Sequence, residues 1–538
     1  MGFRLFFIAL LGLPCVAWAQ PFTQADTLRG SNGAGRNCYD VGYYELSVAV
    51  DVQRKTMAGS TLFRVKNLKN YTSLQIDIFN FLTLDSIIFH QKKCSFIRQG
   101  NACFVQFPEV QRQGQVLQFE VFFRGTPMQA KRPPWDGGFV WRTDSLGQPW
   151  VGVACQGLGA SSWWACKDYL GDEPDSMRIN ISHPNNLVAV SNGYRKNVVF
   201  IDSNTVQSVF EVKNPINTYN VTLNLANYTL VTDEYTDVSG QNRTLEYYVL
   251  VANAAKAQQH FGQVKDMLRC FEQHFGAYPF WSDGYRLVET SYWGMEHQSC
   301  VAYGNNYKNN AFGFDFIIVH ESGHEWFGNS VSVADQAEMW IHEGFTTYAE
   351  TIFVECMQGK QAANQYIATQ KQRLVLKQPI VGILGVNDTN NDVDIYFKAA
   401  LMLHTLRQMV NNDPLWFATI KRFALEYKKS FVNTAEVITF FNKSLGKDYT
   451  TFFAEYLNFA PLPVLHYKCY QDGKNTVLQY KYHANQPNFK MPLSVVVHGK
   501  KVVLDPKNAF QKRVFRHTSP QEIQIDAQNY LVTIQKIP

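Results

Sequence analysis

The hydrophobic period of this 538-residue chain changes twice, and these changes restrict the folds that it can adopt. Residues from about 40 to 230 alternate between apolar and polar in short runs, as from Tyr44 to Val50, with turn residues between the runs. From about Ala252 apolar residues recur at helical spacing, and from 460 to 538 they alternate again. A period of two buries one face of a strand, and a period near 3.6 buries one face of a helix. The pattern therefore predicts a multidomain α+β protein with an N-terminal antiparallel β domain, a mainly helical middle domain and a small C-terminal β-sandwich-like domain.

Turn and helix-breaking residues indicate where these parts end. Gly276 is predicted to stop a helix before Pro279, and Pro461 and Pro463 mark the joint before the last strands. Further helical runs are predicted around His320, from Glu343 to Cys356, from Ile395 to Met409 and from Trp416 to Tyr427. The predicted division of the chain is 1–19, 20–234, 235–459 and 460–538.

The first nineteen residues have the pattern of a secretory signal peptide. Arg4 precedes an apolar run from Leu5 to Val16, and Ala17-Trp18-Ala19 is a small-x-small cleavage site before Gln20. The alternative is an N-terminal membrane anchor, for which the apolar run is short. We therefore expect export to the periplasm or the extracellular space, with no stable membrane span in the mature chain.

Composition favours a folded protein and excludes one class of partner. The chain is 46% hydrophobic and 18% charged, with a net charge of +5 and no long basic run, so no nucleic-acid partner is expected. An exported chain can oxidise its cysteines. Cys94 and Cys103 flank a turn, and we interpret them as the one suggestive disulfide pair. The oligomeric state stays open.

The chemistry-bearing residues begin with a His-Glu-x-x-His motif at His320, Glu321 and His324. Positions i and i+4 share a helix face, so both histidines can reach one metal ion, and Glu321 can contact its water. A catalytic zinc ion usually takes a third protein ligand from another element. Glu343 and its neighbour His342 open a second helical run and compete for that place, because adjacent helix positions point about 100° apart.

The set of motifs resembles the gluzincin aminopeptidases of peptidase family M1. His-Glu-x-x-His followed by Glu343 after eighteen residues is the core of the resemblance. The segment 293–297 (Trp-Gly-Met-Glu-His) is similar to the Gly-x-Met-Glu-Asn motif, and 395–399 is similar to the Tyr-x-Lys-Gly segment. Residues 165–174 are similar to the Pro-Cys-x-Asp-Glu-Pro stretch of the N-terminal domain. The resemblance covers roughly residues 40 to 459.

The resemblance implies a thermolysin-like catalytic domain and a zinc-dependent aminopeptidase that cleaves the N-terminal peptide bond with a zinc-activated water. It implies one Zn²⁺ per chain and peptide substrates with a free N-terminus. The alternatives are another metallohydrolase on the same fold, either an endopeptidase or an enzyme similar to epoxide hydrolases, and a catalytically weak peptide-binding homologue. The implied site consists of the zinc ligands His320, His324 and Glu343, the catalytic residues Glu321 and Tyr396, and the substrate-binding residues Gln156, Gly294, Met295, Glu296 and His297.

Further expectations concern residues other than the zinc ligands and the catalytic residues. Glu338 occupies the place of a family aspartate that orients a zinc histidine, with Asp335 as the nearby competitor. Glu350 is either a similar supporting carboxylate or a solvated one. His297 replaces the family asparagine, and a histidine can titrate near neutral pH. Only strand-like residues follow position 459, which indicates a more open cleft than in family members with a helical C-terminal domain.

Overall fold

The computed structural model describes residues 22–389 and 392–538. The predicted signal peptide, residues 1–19, lies outside the described residues. Within them the three predicted parts follow one another in the expected order, and the α+β fold class is confirmed.

The N-terminal part is a β domain preceded by one short helix, α1 (Gln24–Gly30). Ten strands form one sheet, and the other four form a second sheet with the order β11-β14-β9-β8. The ten-stranded sheet is antiparallel except where β1 runs parallel to β10, a pair that the alternation alone did not predict. The strands are β1 (Tyr39–Asp51), β2 (Thr56–Asn67), β3 (Tyr71–Asp77), β4 (Leu82–Phe89), β5 (Lys92–Gln99), β6 (Ala102–Gln111), β7 (Val116–Gly125), β8 (Gly138–Thr143), β9 (Pro149–Ala154), β10 (Ser176–Pro184), β11 (Val188–Val190), β12 (Tyr194–Phe200), β13 (Thr205–Val212) and β14 (Asn224–Ala226).

The middle part combines a five-stranded sheet with helices. The sheet has the order β15-β16-β17-β19-β18, so the short strand β18 lies at its edge. The strands are β15 (Tyr228–Thr236), β16 (Asn242–Leu250), β17 (Tyr285–Glu289), β18 (Gly294–Met295) and β19 (Val301–Tyr303). The predicted boundary at residue 234 therefore falls inside β15.

Nine α-helices lie in the middle part of the described chain. Those that begin at residues 263, 316, 340, 397 and 413 correspond to predicted runs, whereas those that begin at residues 360, 434 and 450 had no predicted counterpart. The nine helices are α2 (Ala254–His260), α3 (Gln263–Phe275), α4 (Phe316–Gly323), α5 (Trp340–Gln358), α6 (Lys360–Lys371), α7 (Phe397–Val410), α8 (Asp413–Glu426), α9 (Thr434–Leu445) and α10 (Thr450–Asn458). Gly276 ends α3 with φ of 97°, as its position predicts. Two short strands, β20 (Val331–Ser332) and β21 (Ser430–Phe431), pair between the helices.

Close packing of α5 against α7 depends on one glycine. A Cβ atom on Gly344 would lie 2.5 Å from the Cβ of Ala399, which is well inside van der Waals contact. The missing side chain lets the two helices approach, and Tyr396 lies at the start of α7. The approach therefore brings Tyr396 toward the residues on α5.

The C-terminal part contains seven strands in two sheets, with the orders β26-β23-β22-β28 and β25-β24-β27. Side chains of both sheets, such as Leu478 and Val495, belong to the same buried cluster as the helical part. The strands are β22 (Val464–Asp472), β23 (Asn475–His483), β24 (Leu493–Val497), β25 (Lys500–Leu504), β26 (Gln511–Arg516), β27 (Ile523–Asp526) and β28 (Thr533–Lys536). Among the described residues, no helix is both long and apolar enough to cross a membrane.

The predicted disulfide between Cys94 and Cys103 is wrong. The β5–β6 register places Arg98 opposite Cys103, while Cys94 pairs with Ile87 on β4, and both thiols are free. A disulfide joins Cys270 to Cys356 instead, across 86 positions of sequence. It links α3 to the last turn of α5, the helix that carries Glu343.

We expect loss of this disulfide to destabilise the protein. Removing a crosslink frees the unfolded chain, and a native disulfide typically contributes about 2–4 kcal/mol. The double variant Cys270→Ser/Cys356→Ser should therefore unfold at a lower urea concentration than the oxidised wild type. Cys94→Ser, which removes a free thiol, is the control and should keep the wild-type midpoint. Equal midpoints for oxidised wild type and the double variant would contradict the assignment.

Candidate functional site

Three buried side chains from two helices converge on one point. His320 lies in the last turn of α4, His324 is the residue that ends this helix, and Glu343 lies in the first turn of α5. The Glu343 Oε2 atom is 3.5 Å from His320 Nε2 and 3.3 Å from His324 Nε2. Helical spacing places the two histidines on one face, and α5 packs beside α4 to present the carboxylate.

The Nδ1 atoms of both imidazoles already have hydrogen-bond partners. His320 Nδ1 is 2.6 Å from Glu350 Oε1, and His324 Nδ1 is 3.0 Å from the carbonyl oxygen of Phe327. Because each acceptor takes a proton from Nδ1, the Nε2 lone pairs of the neutral rings point inward. The two Nε2 atoms are 3.3 Å apart.

This donor set fits a metal ion. Two Nε2 lone pairs facing each other across 3.3 Å repel unless a cation lies between them. Glu343 Oε2 is buried and receives no hydrogen bond from any described residue, so it also lacks a partner. Burial opposes ionisation of Glu343, but protonation of the two imidazoles would lower the pKa of its carboxyl group, and a metal cation bound between the three groups would act in the same direction. Two imidazoles and one carboxylate are a known ligand set of catalytic zinc.

The competing third ligand is excluded by its direction. His342 is fully buried, and its Nε2 atom accepts a hydrogen bond from the backbone N–H of Val333 at 3.1 Å. Among the described residues, the ligand atoms of His320, His324 and Glu343 lie close enough together to hold one metal ion, whereas His342 belongs to no such cluster. The 100° step between adjacent helix residues turns His342 away.

The expected support from Glu338 is wrong. Glu338 ends a short 3-10 turn before α5, and its Oε1 atom accepts the backbone N–H of Thr434 at 2.7 Å. Asp335 caps the same turn by accepting the N–H of Ala337. Glu350 contacts His320 instead, because it lies two helical turns after Glu343 and faces the same way. Its other oxygen accepts a hydrogen bond from the hydroxyl of Tyr366 at 2.5 Å, a contact without a sequence signal.

Glu321 lies beside the metal ligands and has room because its neighbour is glycine. A Cβ atom on Gly294 would lie 2.6 Å from Glu321 Oε1 and 2.9 Å from Ile317 Cγ2. Burial raises the pKa of Glu321 to about 7, although the two imidazoles oppose this shift. A carboxylate with a pKa near neutrality is suited to take up and release a proton.

A carboxylate oxygen of Glu296 lies within 4.8 Å of the possible ligand atoms of Glu321 and His324. Glu296 is on the side of the site to which the N-terminal domain contributes. Its Oε1 atom accepts hydrogen bonds from Gln156 Nε2 at 2.7 Å and from the Tyr219 hydroxyl at 3.0 Å. The predicted residue Gln156 is therefore in place, whereas Tyr219 had no recognisable motif. Burial raises the pKa of Glu296, so a cation placed beside it would favour its ionised form.

The remaining residues of the 293–297 segment separate into two groups. Gly294 and Met295 form β18 and line the cavity at the edge of the sheet. His297 is fully buried away from the cavity lining, and no described residue hydrogen-bonds its ring. Burial lowers the pKa of His297 to about 3, so this ring stays neutral near pH 7. The effect of His297 on the site, which the sequence left open, therefore does not include a change of its charge near pH 7.

Tyr396 lines the cavity next to His320. Its ring stacks on that of His320, with centroids 6.0 Å apart and planes 27° apart. Phe316 covers His320 as well, at 5.2 Å. The cavity between these groups has a volume of about 570 Å³ and is lined by Gln156, Glu296, Glu321, Glu343 and Tyr396 among others. This volume accommodates a short segment of peptide.

A buried pair of imidazoles and a carboxylate, next to further carboxylates and an open sheet edge, defines a metallopeptidase-type site. Residues 261–456 match the Peptidase family M1 domain, and residues 41–220 match the Peptidase M1 N-terminal domain. These spans cover more than half of the chain, which belongs to peptidase family M1.

The matches with curated relatives cover only part of the length of each relative. Rat aminopeptidase N is 30% identical over 208 residues, which are 33% of this chain and 20% of that protein. Mouse aminopeptidase B is 24% identical over 269 residues, which are 46% of this chain and 37% of that protein. The chain thus spans between about a fifth and just over a third of the length of these relatives.

Solved structures show the same fold over most of the chain. An M1 zinc metallopeptidase from Deinococcus radiodurans, as a variant bound to a Tyr-Ser-Ala substrate, superposes with a TM-score of 0.69 at 19% identity. The match covers 80% of this chain and 96% of that one. Another structure of an M1 zinc metallopeptidase from that organism gives a TM-score of 0.68 at 20% identity.

We predict that Glu350 controls metal affinity and Glu338 does not. Glu350→Gln removes the charge that accepts the His320 Nδ1 proton, and loss of such a support typically weakens metal binding about 10–100-fold. Glu338→Gln changes a carboxylate of the same type that hydrogen-bonds to Thr434 and to neither zinc-site histidine, so it is the matched control. Competition with a zinc-chelating dye measures both. Equal affinities for the two variants would show that Glu350 does not act on the metal site.

Proposed function

We propose that this chain is a zinc-dependent aminopeptidase that hydrolyses the N-terminal bond of peptides with a free N-terminus. The observation that carries the proposal is the position of Glu296, a buried carboxylate next to the His320–His324–Glu343 set. Its Oε1 atom accepts two hydrogen bonds from protein donors, so its Oε2 atom remains available to a ligand. A carboxylate in this place recognises an α-ammonium group and positions the first peptide bond beside the metal.

The residues around the metal site have complementary chemistry. When bound, zinc polarises a carbonyl group and lowers the pKa of a coordinated water to about 7. Glu321 is placed to take the proton of the attacking water and to pass it to the leaving amine. The hydroxyl of Tyr396 is placed to donate a hydrogen bond to the oxyanion that develops on the scissile carbonyl.

The sheet edge supplies a place for the substrate backbone. β18 pairs with β19 on one side only, through Gly294 and Tyr303 and through Met295 and Ala302. An extended peptide can add to such an edge through backbone hydrogen bonds, which do not depend on side-chain identity. A peptide in this position would lie along β18, and Glu296 is the residue that follows this strand.

We also propose that the protein is exported and works in the periplasm or outside the cell. The pattern of residues 1–19 supports this, and so does the disulfide between Cys270 and Cys356, because disulfides persist in oxidising compartments. Fusing residues 1–25 to a reporter enzyme that is active only after export tests the proposal. A reporter retained in the cytoplasm would contradict it.

Recognition of the amine by Glu296 is tested with two substrates. Removing one partner of a buried charge pair costs roughly 2–5 kcal/mol, which corresponds to about 30- to several-thousand-fold in kcat/KM. Glu296→Ala should show this loss on a dipeptide amide with a free amine. The N-acetylated dipeptide amide should be a poor substrate of the wild type and should lose little more in the variant. Glu321→Gln, which lacks the base, serves as the background control.

Other outcomes of this comparison identify the alternatives. Equal losses on both substrates in Glu296→Ala would mean that Glu296 does not read the amine and that the chain is another metallohydrolase. Efficient cleavage of the acetylated peptide by the wild type would identify an endopeptidase. Binding of peptides without turnover by the zinc-loaded protein would identify a peptide-binding homologue.

A further inference from the structure

The ten-stranded sheet of the N-terminal domain ends in an apolar edge. Strand β12 is the first in the order of this sheet and, among the described strands, it pairs with β13 alone. A bulge and the charge of Lys196 protect the beginning of β12, as is usual for an edge strand. The next residues are apolar and exposed, by 43%, 41%, 78% and 55%, and they form the apolar edge: Val198, Val199, Phe200 and Ile201. This stretch is therefore open to pairing with another strand.

The apolar edge continues a buried face of the sheet. The register of β12 with β13 places Phe200 opposite Val206 and Val198 opposite Ser208. Val206 and Ser208 are both buried. Residues that lie opposite each other on neighbouring strands point to the same face of a sheet. Val198 and Phe200 thus extend this face beyond the part that the protein covers.

The free side of β12 also presents backbone groups. The N–H of Ile201 donates to the carbonyl oxygen of Thr205 at 3.0 Å, so the backbone groups of Ile201 face β13. In an antiparallel pair the direction alternates along the strand, so Val199 also faces β13. The N–H and C=O groups of Val198 and Phe200 therefore point away from the sheet, where a further strand can pair with them.

The apolar edge is complementary to itself in one antiparallel register. A two-fold axis perpendicular to the sheet keeps the same face of both copies on one side, and it passes beside Val199 in this register. Each Val198 then lies opposite Phe200 of the second copy, and their outward backbone groups form a hydrogen-bonded pair. Val199 lies opposite Val199 of the second copy.

The charges at the two ends of the apolar edge agree with this register. Lys196 and Arg178 share one carboxylate, that of Glu211, so the basic end of the strand keeps an excess of positive charge. Asp202 follows the apolar edge, and its carboxylate accepts backbone N–H groups of its own turn and pairs with no cation among the described residues. The antiparallel register brings Asp202 of one copy next to Lys196 of the other.

We propose that the apolar edge binds a second copy of this chain, so that two ten-stranded sheets continue as one across a dimer. The proposal goes beyond the aminopeptidase function and does not depend on it. A lipid surface is the competing partner for exposed apolar residues, but lipid tails offer no partner to the backbone groups of Val198 and Phe200. A second strand pairs these groups and covers the side chains as well.

The mass of the purified chain in solution, measured by sedimentation velocity, tests the dimer. The wild type should approach twice the mass of one chain as its concentration rises. Val199→Lys places two like charges opposite each other and should raise the dissociation constant at least about tenfold. Val514→Lys is the matched control, because Val514 is 54% exposed on β26, the edge strand of another sheet. It should keep the wild-type dissociation constant, and both variants should keep the wild-type circular dichroism spectrum.

A crosslink tests the register. Opposed residues outside the hydrogen-bonded pairs have Cα atoms about 4.5 Å apart, which suits a disulfide. Under mild oxidation Val199→Cys should therefore give a covalent dimer on a non-reducing gel. Val198→Cys is the control, because the two copies of residue 198 lie diagonally at about 7–8 Å and should not crosslink.

Each other outcome contradicts the dimer. A wild type that stays monomeric at all concentrations, or a dimer that Val199→Lys leaves unchanged, would overturn the proposal. Equal crosslinking of Val198→Cys and Val199→Cys would overturn the pairing. A monomer that sediments with phosphatidylcholine vesicles, and that no longer does so as Val199→Lys, would show that the apolar edge binds lipid instead of a second copy.

Discussion

Four buried carboxylates around the His320–His324 pair are the constraint on which this site depends. Glu296, Glu321, Glu343 and Glu350 are all less than a tenth exposed, and burying a carboxylate without compensation is costly. Glu350 is compensated by His320 and Tyr366, and Glu296 by two hydrogen-bond donors. Glu321 and Glu343 face the point where the two Nε2 atoms converge. A divalent cation there supplies the missing charge, and the site requires it for electrostatic as well as chemical reasons.

The fold serves to hold these groups at fixed distances. α4 and α5 provide the metal ligands, α7 adds Tyr396 because Gly344 allows close packing, and the β domain contributes Gln156 and Tyr219. The active site thus lies between two parts of the chain, and neither part contains it alone.

The sequence predicted those features that depend on local periodicity. His320 and His324 had to share a helix face, and the alternating runs became strands with buried Leu46 and Val48. Glu350 stayed ambiguous, because helical spacing alone cannot distinguish a buried carboxylate from a solvated one. Glu338 was misassigned because a 3-10 turn directs it to Thr434. Long-range contacts were not predictable, which explains the wrong cysteine pair and the missed contact of Tyr219 with Glu296.

The metal content of the purified protein tests the central claim most directly. Mass spectrometry under native conditions should find one zinc ion per wild-type chain and none after Glu343→Ala, because two imidazoles alone leave the ion without its carboxylate ligand. His342→Ala, a change at the neighbouring buried position, should keep one zinc ion per folded chain. Full zinc occupancy in Glu343→Ala, or loss in His342→Ala with the fold retained, would contradict the proposed metal centre.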